Sequence, residues 1–176
     1  MSHLSHLRKA KKRNRTTTTP KTNETMKGFY TITQALQTHF NADALVNTVT
    51  EGDIFEIDLN KQTIFPLVHV MINSASFETN VVRFNVSLIA MDIVNISKDA
   101  TTDGFRGNTN EQDVLNTQLE ILNRAYAQML HGTMWDSQVV VDGNPNCEPF
   151  VERFENNLAG WTMTFDVLIP NEVTIC

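Results

Sequence analysis

The sequence predicts an α+β fold in which a mostly antiparallel sheet carries two main helices packed on one face. Apolar residues recur every three or four positions in two stretches, which is the spacing of amphipathic helices. In other stretches they alternate with polar residues, as they do in half-buried strands. The links between those strands are short enough for hairpins, and hairpin strands pair antiparallel. The predicted order is a helix, a strand-rich middle, a second helix and three strands.

The two helices are predicted over residues 28–41 and 111–130. Asn110 stands before the second helix as a candidate N-cap, and Gly132 follows it as a stop. Each helix has one apolar face. The faces consist of Phe29, Ile32, Leu36 and Phe40 in the first helix, and of Leu115, Leu119, Leu122, Tyr126 and Met129 in the second.

Strands are predicted over residues 53–59, 63–72, 80–94, 138–141, 148–155 and 161–169. The clearest is the third, in which the even-numbered apolar residues from Val82 to Ala90 share a face and Arg83 begins the other face. The apolar residues Ile89, Met91 and Ile93 indicate that its far end is covered on both sides. Residues 42–52 read as a short helical or irregular link and residues 142–145 as a turn. Pro66 indicates an edge position or a bulge in the second strand.

Charge divides the chain into a basic arm and an acidic body. Residues 1–25 hold seven Lys or Arg against one Glu, a net charge of +6, and residues 26–176 hold seven against 19 acidic residues, a net charge of −12. The arm lacks apolar periodicity, so we expect disorder there and one folded domain over 26–176. It could neutralise phosphates of nucleic acid, dock on an acidic neighbouring subunit, or precede a true start at Met26. Its basic cluster comprises Arg8, Lys9, Lys11, Lys12, Arg13 and Arg15.

Several function classes find little support in the sequence. No apolar run reaches the length of a membrane span, and no secretory signal is present. Cys147 and Cys176 are too few for a zinc site or a disulfide framework, and we expect both as reduced thiols. No nucleophile, base and orienting group stand in a catalytic pattern, and the carboxylates of Asp53 and Glu56 alternate across a predicted strand. We therefore expect neither an enzyme nor a cofactor.

The polar loop of residues 95–110 is the predicted assembly surface. Asp99 and Asp103 suggest a calcium loop, but Thr101 and Asn110 stand where that motif needs an Asp or Asn and a Glu. Phe105 has little local core to join, so we expect it to insert into a partner pocket. The interface candidates are Phe105, Arg106, Asp99, Asp103, Pro66 and the basic cluster of the arm. We expect His69 in the core or an interface, and Trp135 and Trp161 as core anchors.

Four runs resemble the tail-terminator and tail-completion proteins of tailed bacteriophages, which form neck rings between portal and tail. They are EGDIFEIDLNKQTIFPLVHVMIN (residues 51–73), VVRFNVSLIAMDIV (81–94), NEQDVLNTQLEILNR (110–124) and CEPFVERFENNLAGWTMTFDVLIPN (147–171). The resemblance implies a structural virion protein, made in the host cytoplasm, that forms a six- or twelve-fold homo-oligomeric ring. It implies portal or adaptor and tail proteins as partners, with genomic DNA in passing contact. The alternatives are a DNA-binding accessory protein that uses the arm and, more remotely, a nuclease-like enzyme.

Overall fold

The computed structural model describes residues 28–59, 61–101, 103–132, 134, 139–153 and 157–171. Its elements are α1 (Gly28–Ala42), β1 (Thr48–Glu51), two 3₁₀ turns (Ile54–Glu56 and Gln62–Ile64), β2 (Leu67–Phe77), β3 (Val81–Ile93), α2 (Glu111–His131), β4 (Val140–Arg153) and β5 (Leu158–Pro170). The strands form one sheet in the order β1-β2-β3-β5-β4. β1 runs parallel to β2, and the other neighbours are antiparallel. The predicted α+β class is confirmed. Arg8, Lys9, Lys11, Lys12, Arg13 and Arg15 lie outside the described residues, as do Trp135 and Cys176.

One face of the sheet carries both helices and the larger apolar core. The even-numbered apolar residues of β3 point into this core, as predicted, since Val82, Val86 and Leu88 are at most 1% exposed. β5 repeats this alternation with Met163, Phe165 and Val167. The helices contribute Ile32, Leu36, Phe40, Ile121, Leu122, Ala125 and Met129. Burying one large aliphatic side chain stabilises a fold by about 1.5–3 kcal/mol, so this layer fixes the register of the central strands.

The described residues cover the opposite face at one end only. There Leu67, Met91 and Leu158 are fully buried and join Phe65 and Phe150 in a second apolar cluster. The segment with the two 3₁₀ turns lies against it through Ile54, Ile57, Leu59 and Ile64. The end of β3 is therefore enclosed on both sides, as its sequence predicted. The rest of this face is polar and open.

The structure corrects the prediction for residues 42–66. Residues 53–59 are not a strand, because the Asp53 carboxylate accepts a hydrogen bond from the Phe55 N–H (2.9 Å) and starts a 3₁₀ turn. The link 42–52 contains β1, which is placed against β2 when Asn47 and Thr48 donate to the Pro66 carbonyl. Pro66 itself precedes β2, and β2 is interior along the part that β1 covers.

Two further predictions around α2 and β4 are wrong, and a third, Asn110 as the N-cap of α2, holds for its position but not for its side chain. Residues 142–145 form no turn: β4 continues through them with a register shift between Asp142 and Asn146, so two strands follow α2 instead of three. The buried face of α2 is rotated from the predicted stripe, since Leu119 is 37% exposed while Gln118 is fully buried. The Asn110 side chain does not cap α2 and instead accepts from the Asn95 N–H.

Candidate functional site

The loop between β3 and α2 (residues 95–110) is braced by its own hydrogen bonds. Ile96 and Thr109 form an isolated antiparallel bridge, and the Ser97 N–H donates to the Asn108 carbonyl over 2.7 Å. The Asn108 side-chain amide also donates to the Asp99 carbonyl. At the base of the loop, the Asn95 N–H donates to the Asn110 side chain over 2.7 Å. These bonds give the loop a defined shape at its base and along its sides.

The tip of this loop holds Phe105 out into solvent. Asp103 accepts hydrogen bonds through its carboxylate from the N–H groups of Phe105 (2.8 Å) and Arg106 (3.3 Å), and through its carbonyl from Gly107. Gly107 has a φ of 66°, a left-handed conformation that glycine adopts without strain. The Phe105 side chain is 86% exposed. The turn therefore holds the backbone at Phe105, and the described residues leave its aromatic ring largely uncovered.

The other candidates in the loop have structural contacts there. Asp103 builds the tip, and the Asp99 carboxylate accepts from the Ser97 hydroxyl over 3.1 Å. Arg106 lies 3.9 Å from Asp113 in the first turn of α2. Within the described ranges, no three His, Cys, Asp or Glu side chains are arranged to hold a metal ion. Pro66 is separate from this loop in the chain and serves to position β1.

A second candidate surface is the polar face of the sheet, which is centred on Arg83. The Arg83 guanidinium donates to Glu78 (3.1 Å), to Asp166 (3.2 Å) and to Asp142. These carboxylates, with the Asp142 hydrogen bond contributing most, raise the pKa of Arg83 above its already high ordinary value. One cation thus joins the β2–β3 hairpin to β5 and β4.

Polar side chains continue across three strands of this face. The Asn73 amide donates to Asn85 (2.8 Å) and Ser87 (2.7 Å), and the Asn85 amide donates to Asp166 (2.6 Å). Ser87 and Thr164 share a hydroxyl hydrogen bond of 2.9 Å. Beside them lies a shallow groove of about 400 Å³, lined by Asn85, Asp142, Asn144, Asn146, Glu148, Thr162, Thr164, Phe165 and Asp166. The lining of the groove includes three carboxylates, those of Asp142, Glu148 and Asp166.

Strand alternation in the sequence places Arg83, Asn85 and Ser87 on one face of β3, but it does not show that these residues lie beside β5 and β4. The pairing of Asn85 with Asp166 and of Asp166 with Asp142 makes that connection. Strand alternation could have revealed each row separately. The order in which the strands lie side by side was needed to bring the rows together.

His69 is a buried structural residue, in agreement with the core alternative. Its Nδ1 lies 2.8 Å from the Thr50 hydroxyl, and its Nε2 lies 3.1 Å from the Gly52 carbonyl oxygen. Because a carbonyl only accepts, Nε2 carries the hydrogen and Nδ1 accepts from Thr50. Burial lowers the pKa of His69, with smaller opposing effects from the Gly52 hydrogen bond and Asp53. The neutral ring holds the end of β1 against β2.

A further groove of about 410 Å³ lies between the end of α1 and α2, next to His39, Asp43 and Arg124. One nitrogen of the Arg124 guanidinium donates to both Asp43 carboxylate oxygens, at 2.9 and 2.8 Å. The Asp43 side chain is only 8% exposed, so this pair connects the two helices with a partly buried charge. Burial also lowers the pKa of His39 beside it. The contacts present are those of a helix–helix junction.

Comparison with known proteins adds no assignment, since no protein-family model and no curated protein matches the chain. Neither helix within the described ranges has the length and apolarity that a membrane crossing requires. The geometry of the loop and of the sheet therefore provides the structural ground for a functional proposal.

Proposed function

We propose that this protein is a structural virion component that forms a homo-oligomeric ring at the head–tail junction of a tailed bacteriophage. In this role it joins a portal or adaptor ring to the tail as a terminator, completion or neck protein. The proposal rests on the resemblance of the four sequence runs, and one structural observation carries it further. That observation is Phe105, an aromatic side chain that is 86% exposed on a loop whose backbone is held by hydrogen bonds.

Exposure of one apolar side chain is ordinary, and the Asp53 carboxylate supports Phe55, which is 88% exposed, by the same kind of N–H hydrogen bond. Phe105 differs because it lies at the tip of the long polar loop of residues 95–110. Here Asp103 and Gly107 define the tip, and a bridge between Ile96 and Thr109 defines the sides. Ile96 is itself 61% exposed, so the loop offers more than one apolar side chain. Large aromatic anchors of this kind dominate the energy of many interfaces.

The remainder of the molecule suits repeated self-association. The two apolar clusters are enclosed by the fold, so contacts with other copies fall on the loop and on the sheet edges. When different surfaces of identical copies meet head to tail, the chain of contacts closes into a ring if the rotation permits. The acidic body would not retain the phosphate backbone of DNA that passes through such a ring.

Size-exclusion chromatography with mass measurement, followed by electron microscopy of the purified protein, tests the ring. We expect closed rings of six or twelve copies, formed by the protein alone or with its portal and tail partners. Absence of copies from the collar of native particles would refute the proposal, as would a strict monomer under all these conditions.

The variant Phe105→Ala tests the loop as the contact. Burial of a Phe side chain in a neighbour is worth about 1.5–3 kcal/mol, so we expect each contact to weaken roughly 10- to 100-fold. The free energy of unfolding of the isolated subunit should change by less than about 0.5 kcal/mol, because the Phe105 side chain contacts solvent in the free subunit. A large loss of subunit stability would place Phe105 in the core and contradict the proposal.

Phe55→Ala is the matched control, because Phe55 is 88% exposed on a different surface segment. We expect Phe55→Ala to assemble more nearly like the unmodified protein than Phe105→Ala does. Equal losses from both variants would show that exposed aromatic area in general, and not the loop, supports assembly.

A further inference from the structure

The outer edge of β2 is open along residues 72–77. β1 pairs with β2 only from Leu67 to Val70, and the last bond between them runs from the Gly52 N–H to the Val70 carbonyl. Beyond that point no described strand lies on this side of β2, while β3 continues to pair with its inner side as far as Phe77. Residues 73–77 are all exposed. The row of outward backbone groups is therefore available to another strand.

This open edge lacks the protection that the opposite edge of the sheet carries. β4, at that edge, contains Pro145 and Pro149, which have no N–H to donate, and a register shift after Asp142. Charged side chains, proline and bulges are the usual means by which edge strands avoid pairing. Residues 72–77 contain neither charge nor proline. The pairing of β2 with β3 shifts register at Asn73, and residues 74–77 after it pair regularly.

We propose that the open edge of β2 pairs antiparallel with the same segment of a second copy, about a two-fold axis. The charge of the chain favours this place for contact between identical molecules, because residues 26–176 have a net charge of −12 and like surfaces repel. The open edge itself is uncharged. Ser74, Ala75 and Ser76 are small enough to let two strands approach, and a partner strand would cover part of Phe77, which is 73% exposed.

Pairing of an edge with itself is preferred over pairing with β4 of another copy. The two prolines of β4 leave gaps in its row of donors, and Asp142 and Glu148 add negative charge beside them. Residues 74–77 contain no proline and no register shift, so the backbone groups that face outward there can donate to and accept from a second copy. Six residues a side form a contact smaller than a standard interface of about 1,600 Å², so we expect a weak dimer with micromolar dissociation. This two-fold contact is separate from the proposed ring.

Disulfide trapping tests the two-fold axis directly. In a Cys147→Ser, Cys176→Ser background, the variants Ser74→Cys, Ala75→Cys and Ser76→Cys are oxidised one at a time at micromolar concentration. Two cysteines form a disulfide when their Cα atoms are about 4.4–6.8 Å apart, and residues at the axis of an antiparallel pair meet this condition. We expect at least one of the three variants to form dimers much faster than Ala127→Cys, an exposed position on α2. Equal rates at all four positions would overturn the proposal.

Sedimentation analysis of Ala75→Glu, with Ala127→Glu as the matched control, gives the second measurement. We expect the edge variant to weaken dimerisation at least tenfold, because like charges are brought together across the axis, while the control dimerises normally. A dimer unaffected by Ala75→Glu would overturn the pairing. If the protein forms rings but no disulfide is trapped at residues 74–76, the β2 contact is refuted and the ring proposal stands. If dimers are trapped but the protein never forms rings, the β2 contact stands and the ring proposal is refuted.

Discussion

Gly160 lies where β3 and β5 approach too closely for any side chain. It pairs with Met91 of β3 and with Phe150 of β4, in the middle of the sheet. A Cβ atom on Gly160 would lie 2.0 Å from the Ala90 carbonyl oxygen and 2.9 Å from the Met91 Cα. Both obstacles are backbone atoms, so they cannot give way as the end of a flexible side chain does. Glycine in a strand interior often marks such close approach.

The variant Gly160→Ala should therefore be strongly destabilised. Overpacking of a well-packed interior costs about 1–3 kcal/mol, and an obstacle made of backbone places this site toward the upper end. Replacing glycine also restricts the unfolded chain, which offsets about 0.4–1 kcal/mol. We expect a net loss of about 2 kcal/mol, measured by urea unfolding followed by circular dichroism at unchanged slope.

Gly104→Ala is the control, because no atom lies within 4 Å of the Cβ position at Gly104. Its free energy of unfolding should stay within about 0.5 kcal/mol of the unmodified protein. If Gly160→Ala were as stable as this control, the strands would not lie as close as the β3–β5 register requires.

Two further predictions concern stability. His69 has a folded-state pKa below its ordinary value of 6.5, so its contribution is complete above pH 6.5 and is lost as pH falls from there toward the lowered pKa. His69→Gln should flatten the pH dependence of unfolding between pH 7 and 5, and an unchanged slope would contradict a neutral buried ring. The Trp161 indole donates to the Leu115 carbonyl of α2 over 2.9 Å. Trp161→Phe should lower the free energy of unfolding by about 1 kcal/mol in denaturant titrations, and no loss would show that this bond adds nothing.

The parts of the fold that the sequence predicted are those in which one alternation decides the structure. β3 was predicted at 80–94 and extends over Val81–Ile93, because every other residue from Val82 to Ala90 is apolar and buried. α1 was predicted almost to its ends because Ile32, Leu36 and Phe40 recur at helical spacing and are buried, whereas Phe29, expected on the same face, is 41% exposed. Such segments are determined by their own burial pattern, and tertiary contacts only reinforce it.

The failures occur where a distant partner decides. β1 has four residues and a single aliphatic side chain, and it becomes a strand because the Pro66 carbonyl and β2 lie beside it. The turn signal at residues 142–145 was overridden because β5 pairs with β4 on both sides of it. The partners of β1 and β4 cannot be read from the local sequence. One failure is local instead: residues 53–59 show strand-like alternation, yet the Asp53 side chain accepts from the Phe55 N–H two residues later and starts a 3₁₀ turn there.

The candidate site was predicted in part. Phe105 was selected because a polar loop offered it no local core, and the structure leaves it exposed. The brace formed by Asp103 was not anticipated, although Asp followed two residues later by a turn N–H is a recognisable Asx pattern. The polar face around Arg83 depends on residues far apart in sequence, Glu78, Asp142 and Asp166, which only the finished sheet brings together.

The second apolar cluster divides the sheet into an end with three layers and an end with two. Local opening costs more free energy where amides lie beneath packed side chains on both sides, so we expect the amides of the last residues of β3 to be well protected from exchange. The 95–110 loop begins immediately after these residues, where the Val94 N–H donates to the Asn157 carbonyl. When the β2–β3 hairpin opens locally at the two-layer end of the sheet, the base of the loop therefore stays in place. Phe105 keeps its position while the far end of the sheet fluctuates.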